Sequence, residues 1–124
     1  MSDQLTISVT HTGGCTAVVA LNGELDLRTV LQAREVLCAQ VDAGVHRLVV
    51  DLSGLRFIGL LGAHLLWDIQ VLLIARGGSM ALACPQRRVA RALQLTGTDQ
   101  RIPVYDSLGG AVSGRVRLME RRAR

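Results

Sequence analysis

A chain of 124 residues with 49% apolar content is long enough for one domain with a real core and too apolar for disorder. Aromatics are only 2% (Phe57, Trp67 and Tyr105), so the core must be built from Leu, Val, Ile and Ala, and little is available for stacking single-stranded nucleic acid. All 14 basic residues are arginine, which excludes a Walker lysine and Schiff-base chemistry; five of them (Arg115, Arg117, Arg121, Arg122 and Arg124) crowd the last ten residues, so the formal charge of +4 reads as a solvated tail and not as a nucleic-acid-binding face.

Leu5–Val9 alternates and reads as a strand with one wet face. Thr12-Gly-Gly14 is a hairpin turn, and Thr16–Leu21 is a second strand that ends at Asn22-Gly23. Asp26 is the expected N-cap of a first helix, whose apolar stripe is Val30, Ala33, Leu37 and Val41 and whose stop is Gly44. Arg47–Leu52 is a central strand, short and apolar enough to be buried on both faces. Asp51, Ser53 and Gly54 break it, and the turn Phe57-Ile-Gly-Leu-Leu-Gly62 leads into a second helix over Leu60–Arg76, stopped by Gly77-Gly78. Met80–Cys84 is a fourth strand. Pro85 suits the start of a short helix that carries Val89, Ala92 and Leu93. Ile102–Tyr105 is a short strand that Pro103 demotes to an edge. Asp106 or Ser107 caps a final helix with Leu108, Ala111 and Val112. After the first hairpin, strands and helices alternate, which implies right-handed crossovers and a mostly parallel sheet.

Cys15, Cys38 and Cys84 have neither disulfide nor metal spacing and read as small core residues in a reducing cytoplasm. The polar Met-Ser-Asp-Gln start does not read as a signal peptide, and the Leu60–Ala75 run is too short to span a membrane. His64 and Asp68, four apart, read as a hydrogen-bonded surface pair, since no third ligand or nucleophile accompanies them. No catalytic set, metal site or cofactor is read from the chain, so it is not expected to be an enzyme.

The element order, together with three landmarks, resembles the STAS domain of bacterial anti-sigma factor antagonists. The landmarks are Asn22-Gly-Glu-Leu-Asp26, then Val50-Asp-Leu-Ser-Gly-Leu-Arg-Phe-Ile58, then the Arg76-Gly-Gly78 turn before Met80–Cys84 and the helix with Val89 and Leu93. The resemblance covers about residues 5–114. It implies an α/β, STAS-like single domain over 1–114, with a mixed, mostly parallel sheet of four to five strands and about four helices; residues 115–124 form an arginine-rich tail. It implies partner switching in the regulation of transcription in a bacterial cytoplasm. The expected partner is an anti-sigma factor that is itself a serine kinase, a homodimer is a second contact to test, and no nucleic acid or membrane insertion is expected. In the family, a serine or threonine at the start of the second helix is phosphorylated to switch binding off. This chain reads Gly59-Leu60-Leu61-Gly62 there, so the family position, Leu60, has no hydroxyl; Ser53 is the nearest surviving candidate and reads first as a turn serine. The resemblance places partner binding at Asp26, Gly59, Leu60, Leu61 and Gly62, with Glu24 beside them. A structural STAS subunit of a transporter complex and a small-ligand-binding STAS module are the alternative readings.

Overall fold

The computed structural model describes residues 4–114. The arginine-rich segment 115–124 lies outside the described residues. The elements are β1 (Leu5–Thr12), β2 (Thr16–Leu25), α1 (Val30–Asp42), β3 (Arg47–Asp51), β4 (Leu55–Ile58), α2 (Leu60–Ala75), β5 (Ser79–Ala83), α3 (Arg87–Leu95), a single 3-10 turn (Thr98–Gln100), β6 (Val104–Tyr105) and α4 (Leu108–Ser113).

The sheet runs β1-β2-β3-β5-β6, with β4 beside the far end of β2. Among the described residues only β1–β2 is antiparallel, and the other pairings are parallel. The α/β architecture expected from the alternation of elements is therefore present, with six strands among the described residues where the sequence pointed to four or five. The added strand is β4, which looked like part of a turn because Arg56 and Phe57 interrupt its apolar pattern. It forms because β2 does not stop at Asn22-Gly23 but continues to Leu25. Gly23 takes φ +122° at a register shift, and a Cβ there would overlap the Gln4 carbonyl. β3 and β4 thus lie end to end along one edge of β2, with Ala20 opposite Asp51 and Gly23 opposite Leu55. Gly54 sits between them, where a Cβ would overlap the Asn22 side chain.

The two faces of the sheet are covered unequally. Ala33, Leu37 and Val41 of α1, Leu65, Leu66, Ile69 and Leu73 of α2, and Val89 and Leu93 of α3 pack on one face against Val19, Leu21, Leu48, Val50 and Leu82. On the other face, α4 places Ala111 over Val18, Val49, Ala81 and Ala83. The last strand is shorter than expected, Val104–Tyr105, and pairs only with β5, at the edge. Ser107, one of the two expected caps, accepts a hydrogen bond from the Gly110 N–H at 3.0 Å. The helix after Pro85 begins two residues later than that proline, with Gln86 at its N-cap position.

Three expectations are corrected. Asp26 is not the N-cap of α1. Thr29 holds that position, and Asp26 closes a turn instead, its Oδ1 accepting from the Arg28 N–H at 2.9 Å. His64 and Asp68 do not pair. Asp68 faces Arg34 of α1 at 3.3 Å, while His64 packs on Trp67 with ring centroids 4.6 Å apart. Cys15 is not a core residue: it is exposed at the hairpin, whereas Cys38 and Cys84 are half-buried and pack against the core.

Candidate partner-binding site

The C-terminal ends of the parallel strands form one rim of the molecule. Leu25 ends β2 and Ile58 ends β4, and a hydrogen bond from the Gly59 N–H to the Leu25 carbonyl, 2.9 Å, ties the start of α2 to the residue before Asp26. The structure therefore brings Asp26 and the Gly59–Gly62 turn together. Gly59 is the extended N-cap of α2, with no side-chain cap bond. Gly62 is buried, and a Cβ there would stand 2.8 Å from Leu25 Cγ and 3.0 Å from Ile58 Cγ1. The glycine lets the first turn of α2 sit against β2 and β4, which turns Leu60 and Leu61 outward.

These leucines are 58% and 45% exposed, while Leu65 and Leu66, one turn later, are fully buried. Sequence periodicity could not separate the two pairs, because α2 is apolar nearly all round. Leu27 and Leu31, 73% and 74% exposed, and Phe57, 45% exposed, add apolar surface at this end of the sheet. Sequence reasoning did not pick out Leu27 and Leu31 as part of the site. The available signal was that Leu27 and Leu31 fall outside the Val30–Ala33–Leu37–Val41 stripe.

A small charged cluster borders this apolar surface. Arg28 approaches Asp26 at 3.1 Å and Glu24 at 3.6 Å, and Arg56 approaches Glu24 at 3.8 Å. Burial acts to raise the Asp26 carboxyl, but the hydrogen bonds and charge of Arg28 and the Thr29 backbone outweigh it and hold the carboxyl below its ordinary value. Asp26 is thus an anionic, partly occupied acceptor at the rim. Ser53 lies nearby in an exposed turn. Its N–H donates to Asp51 Oδ1 at 3.0 Å and its carbonyl accepts from Gln86 Nε2 at 2.8 Å. Among the described residues there is no cluster of three or more His, Cys, Asp or Glu side chains placed to hold a metal ion. No helix among them is long and apolar enough to cross a membrane. A separate shallow groove, lined by Thr10, Thr12, Val18, Ala20, Asp51 and Leu108, runs between α4 and the β1–β2 side of the opposite face.

This chain belongs to the STAS domain family, which matches residues 6–111. It is homologous to anti-sigma factor antagonists. Anti-sigma-F factor antagonist RsfB of Mycobacterium tuberculosis is 27% identical over 120 residues, spanning 90% of each chain. The crystal structure of an anti-sigma factor antagonist from Mycobacterium paratuberculosis superposes with a TM-score of 0.81 at 28% identity, over 89% of this chain and 92% of that one. The anti-sigma factor antagonist SpoIIAA in its unphosphorylated form shares the fold, with a TM-score of 0.74 at 23% identity, over 90% of this chain and all of that one.

Proposed function

We propose that this protein is an anti-sigma factor antagonist that works in the bacterial cytoplasm by non-catalytic partner switching. It binds a serine-kinase anti-sigma factor through Asp26, Gly59, Leu60, Leu61 and Gly62, and so frees the sigma factor. The carrying observation is the exposure of Leu60 and Leu61 at the start of α2, fixed beside Asp26 by the Gly59–Leu25 hydrogen bond. Contiguous exposed apolar area at a rim of charged residues is the usual mark of a protein contact. The homology to named antagonists supports this class over a transporter subunit, and over a ligand-binding module built on the groove beside α4.

The turn Gly59-Leu-Leu-Gly62 has no hydroxyl, so the kinase has nothing to phosphorylate there and binding is constitutive. The test is titration calorimetry of the full chain with the serine-kinase anti-sigma factors of its own source, and with the Mycobacterium tuberculosis anti-sigma-F factor as a second probe. Sigma release is followed by transcription in vitro, with phosphopeptide mapping after incubation with ATP. The expected result is a stable complex, released sigma factor and no phosphate on this chain. Binding to none of these proteins would refute the function. Stoichiometric phosphate on Ser53 would refute constitutive binding and place the switch in the β3–β4 turn.

A further inference from the structure

Nine arginines lie among the described residues, and six of them are engaged. Arg28, Arg34, Arg56 and Arg76 pair with carboxylates, Arg47 donates to the Ala111 carbonyl and Ser79, and Arg101 stacks over the Trp67 ring at 4.2 Å. The three with no partner among the described residues, Arg87, Arg88 and Arg91, all lie on α3 and all are exposed. Their placement opposes helix stability. Arg87 and Arg91 are a like-charged pair four residues apart, Arg87 and Arg88 occupy the positive end of the helix dipole, and α3 contains no acidic residue to offset them. The apolar face of the same helix, Val89 and Leu93, is buried in the core, so the arginines project from its outer side.

This arginine face continues into the candidate partner surface. α3 packs on β4, and β4 runs directly into the Gly59–Gly62 turn. Gln86, immediately before α3, is bonded to the Ser53 carbonyl on the same rim. We infer that Arg87, Arg88 and Arg91 are a second contact of the partner-binding surface, and that they take an acidic, carboxylate-bearing segment of the protein partner. The inference rests on the antagonist reading for the identity of the partner. The surface consists of guanidinium side chains, whose planar forks match carboxylates two bonds at a time. A nucleic acid fits less well, because three charges neutralise few phosphates and α3 carries no aromatic residue to stack a base. Unpaired rim charge of this kind acts mainly on the association rate and on its salt dependence.

The experiment uses the full chain and a ten-residue glutamate peptide. Arginine Nε–H signals are followed by 1H–15N spectra at about 0.01 M and about 0.15 M ionic strength, which span the change from weak to strong screening. The expected result is shift changes at Arg87, Arg88 and Arg91 that weaken at the higher salt, vanish in R87E/R91E and persist in L60S/L61S. Both positions are exposed and position 87 lies in the first turn, which glutamate suits, so R87E/R91E keeps the fold. With an anti-sigma factor in hand, R87E/R91E lowers the association rate about tenfold at low salt. Shift changes confined to arginines outside α3 would overturn the proposal. So would a ten-nucleotide DNA strand that binds α3 more tightly than the peptide. The antagonist reading fails separately, when the peptide binds α3 but no anti-sigma factor binds the chain.

Discussion

Replacing Leu60 and Leu61 together by serine separates a docking role from a core role. The side chains are 58% and 45% exposed, so about half of the apolar area of each is already out of water in the free protein. Full burial of a leucine contributes about 1.5–3 kcal/mol, so losing the covered portion of both costs about 1–3 kcal/mol of stability. That is a minority of the roughly 5–15 kcal/mol typical of a domain, and the double variant stays folded, melting about 5–10 °C lower. The exposed portion is what a partner would cover. Its loss costs a further ~1–3 kcal/mol of binding, which weakens the complex about tenfold to a hundredfold. The assay pairs thermal melting by circular dichroism with calorimetric titration against the anti-sigma factor. A variant that is folded yet binds within about twofold of the wild type would show that these leucines are not in the contact. A variant too unstable to fold would show that the exposed geometry of the turn is wrong.

Gly62→Ala puts a methyl group 2.8 Å from Leu25 Cγ and 3.0 Å from Ile58 Cγ1, and overpacking of this kind is expected to cost about 1–3 kcal/mol in urea unfolding. Thr98→Val removes the acceptor of the Trp67 indole N–H, 2.9 Å away, and the Thr96 hydroxyl's partner at 2.8 Å; unfolding followed by the single tryptophan should show a loss of about 1–3 kcal/mol. The folded Asp26 carboxyl titrates below its ordinary value, so its contribution to stability is complete above the unfolded pKa of about 3.9 and is lost as pH falls through the lower folded pKa; Arg28→Ala should move the Asp26 titration upward, read by carboxyl 13C shifts. Burial, with the charges of Asp51 and Asp106, pushes the Cys84 thiol up, so Cys84 should label more slowly with a thiol reagent than exposed Cys15, and Cys15→Ser should remove the fastest phase.

The architecture was legible where the apolar pattern of an element is unambiguous, as a single stripe on a helix or an unbroken run in a strand buried on both faces. α1, with Ala33, Leu37 and Val41 buried, and β3, with Leu48, Val49 and Val50 fully buried, follow their patterns closely. β4 was hidden because its pairing depends on the path of β2 past Gly23, and a bulge has no periodicity. Asp26 as a cap was a local guess overruled by tertiary geometry. With β2 extended to Leu25, the chain needs the Asp26–Thr29 turn before α1 can begin, which moves the helix start to Val30. The candidate site was legible only through its resemblance to a family. Periodicity alone could not say that Leu60 and Leu61 face water and Leu65 and Leu66 do not, because that difference is set by Gly62 fitting between Leu25 and Ile58. The free arginines of α3 were in plain view as sequence, but their significance depends on the other arginines having partners, which only the fold supplies.

On the proposed reading, leucine at the family's phosphoacceptor position changes how binding is controlled as well as whether a phosphate can be added. A phosphate at a helix start is stabilised by the helix dipole and brings roughly two negative charges into a contact, so it can reverse an interaction at constant protein concentration. Buried apolar area has no such handle, because its contribution does not depend on kinase activity or, near neutral pH, on protonation. Occupancy of the partner is then set by mass action, through the amounts of this chain, the anti-sigma factor and the competing sigma factor. The charged contacts at the rim, Asp26 with Arg28 and the arginine face of α3, respond to salt where the leucines do not. A two-part surface of this kind assigns residence time to the Gly59–Gly62 turn and encounter rate to α3. Substitutions in the turn should therefore act on the dissociation rate and those on α3 on the association rate and its salt dependence.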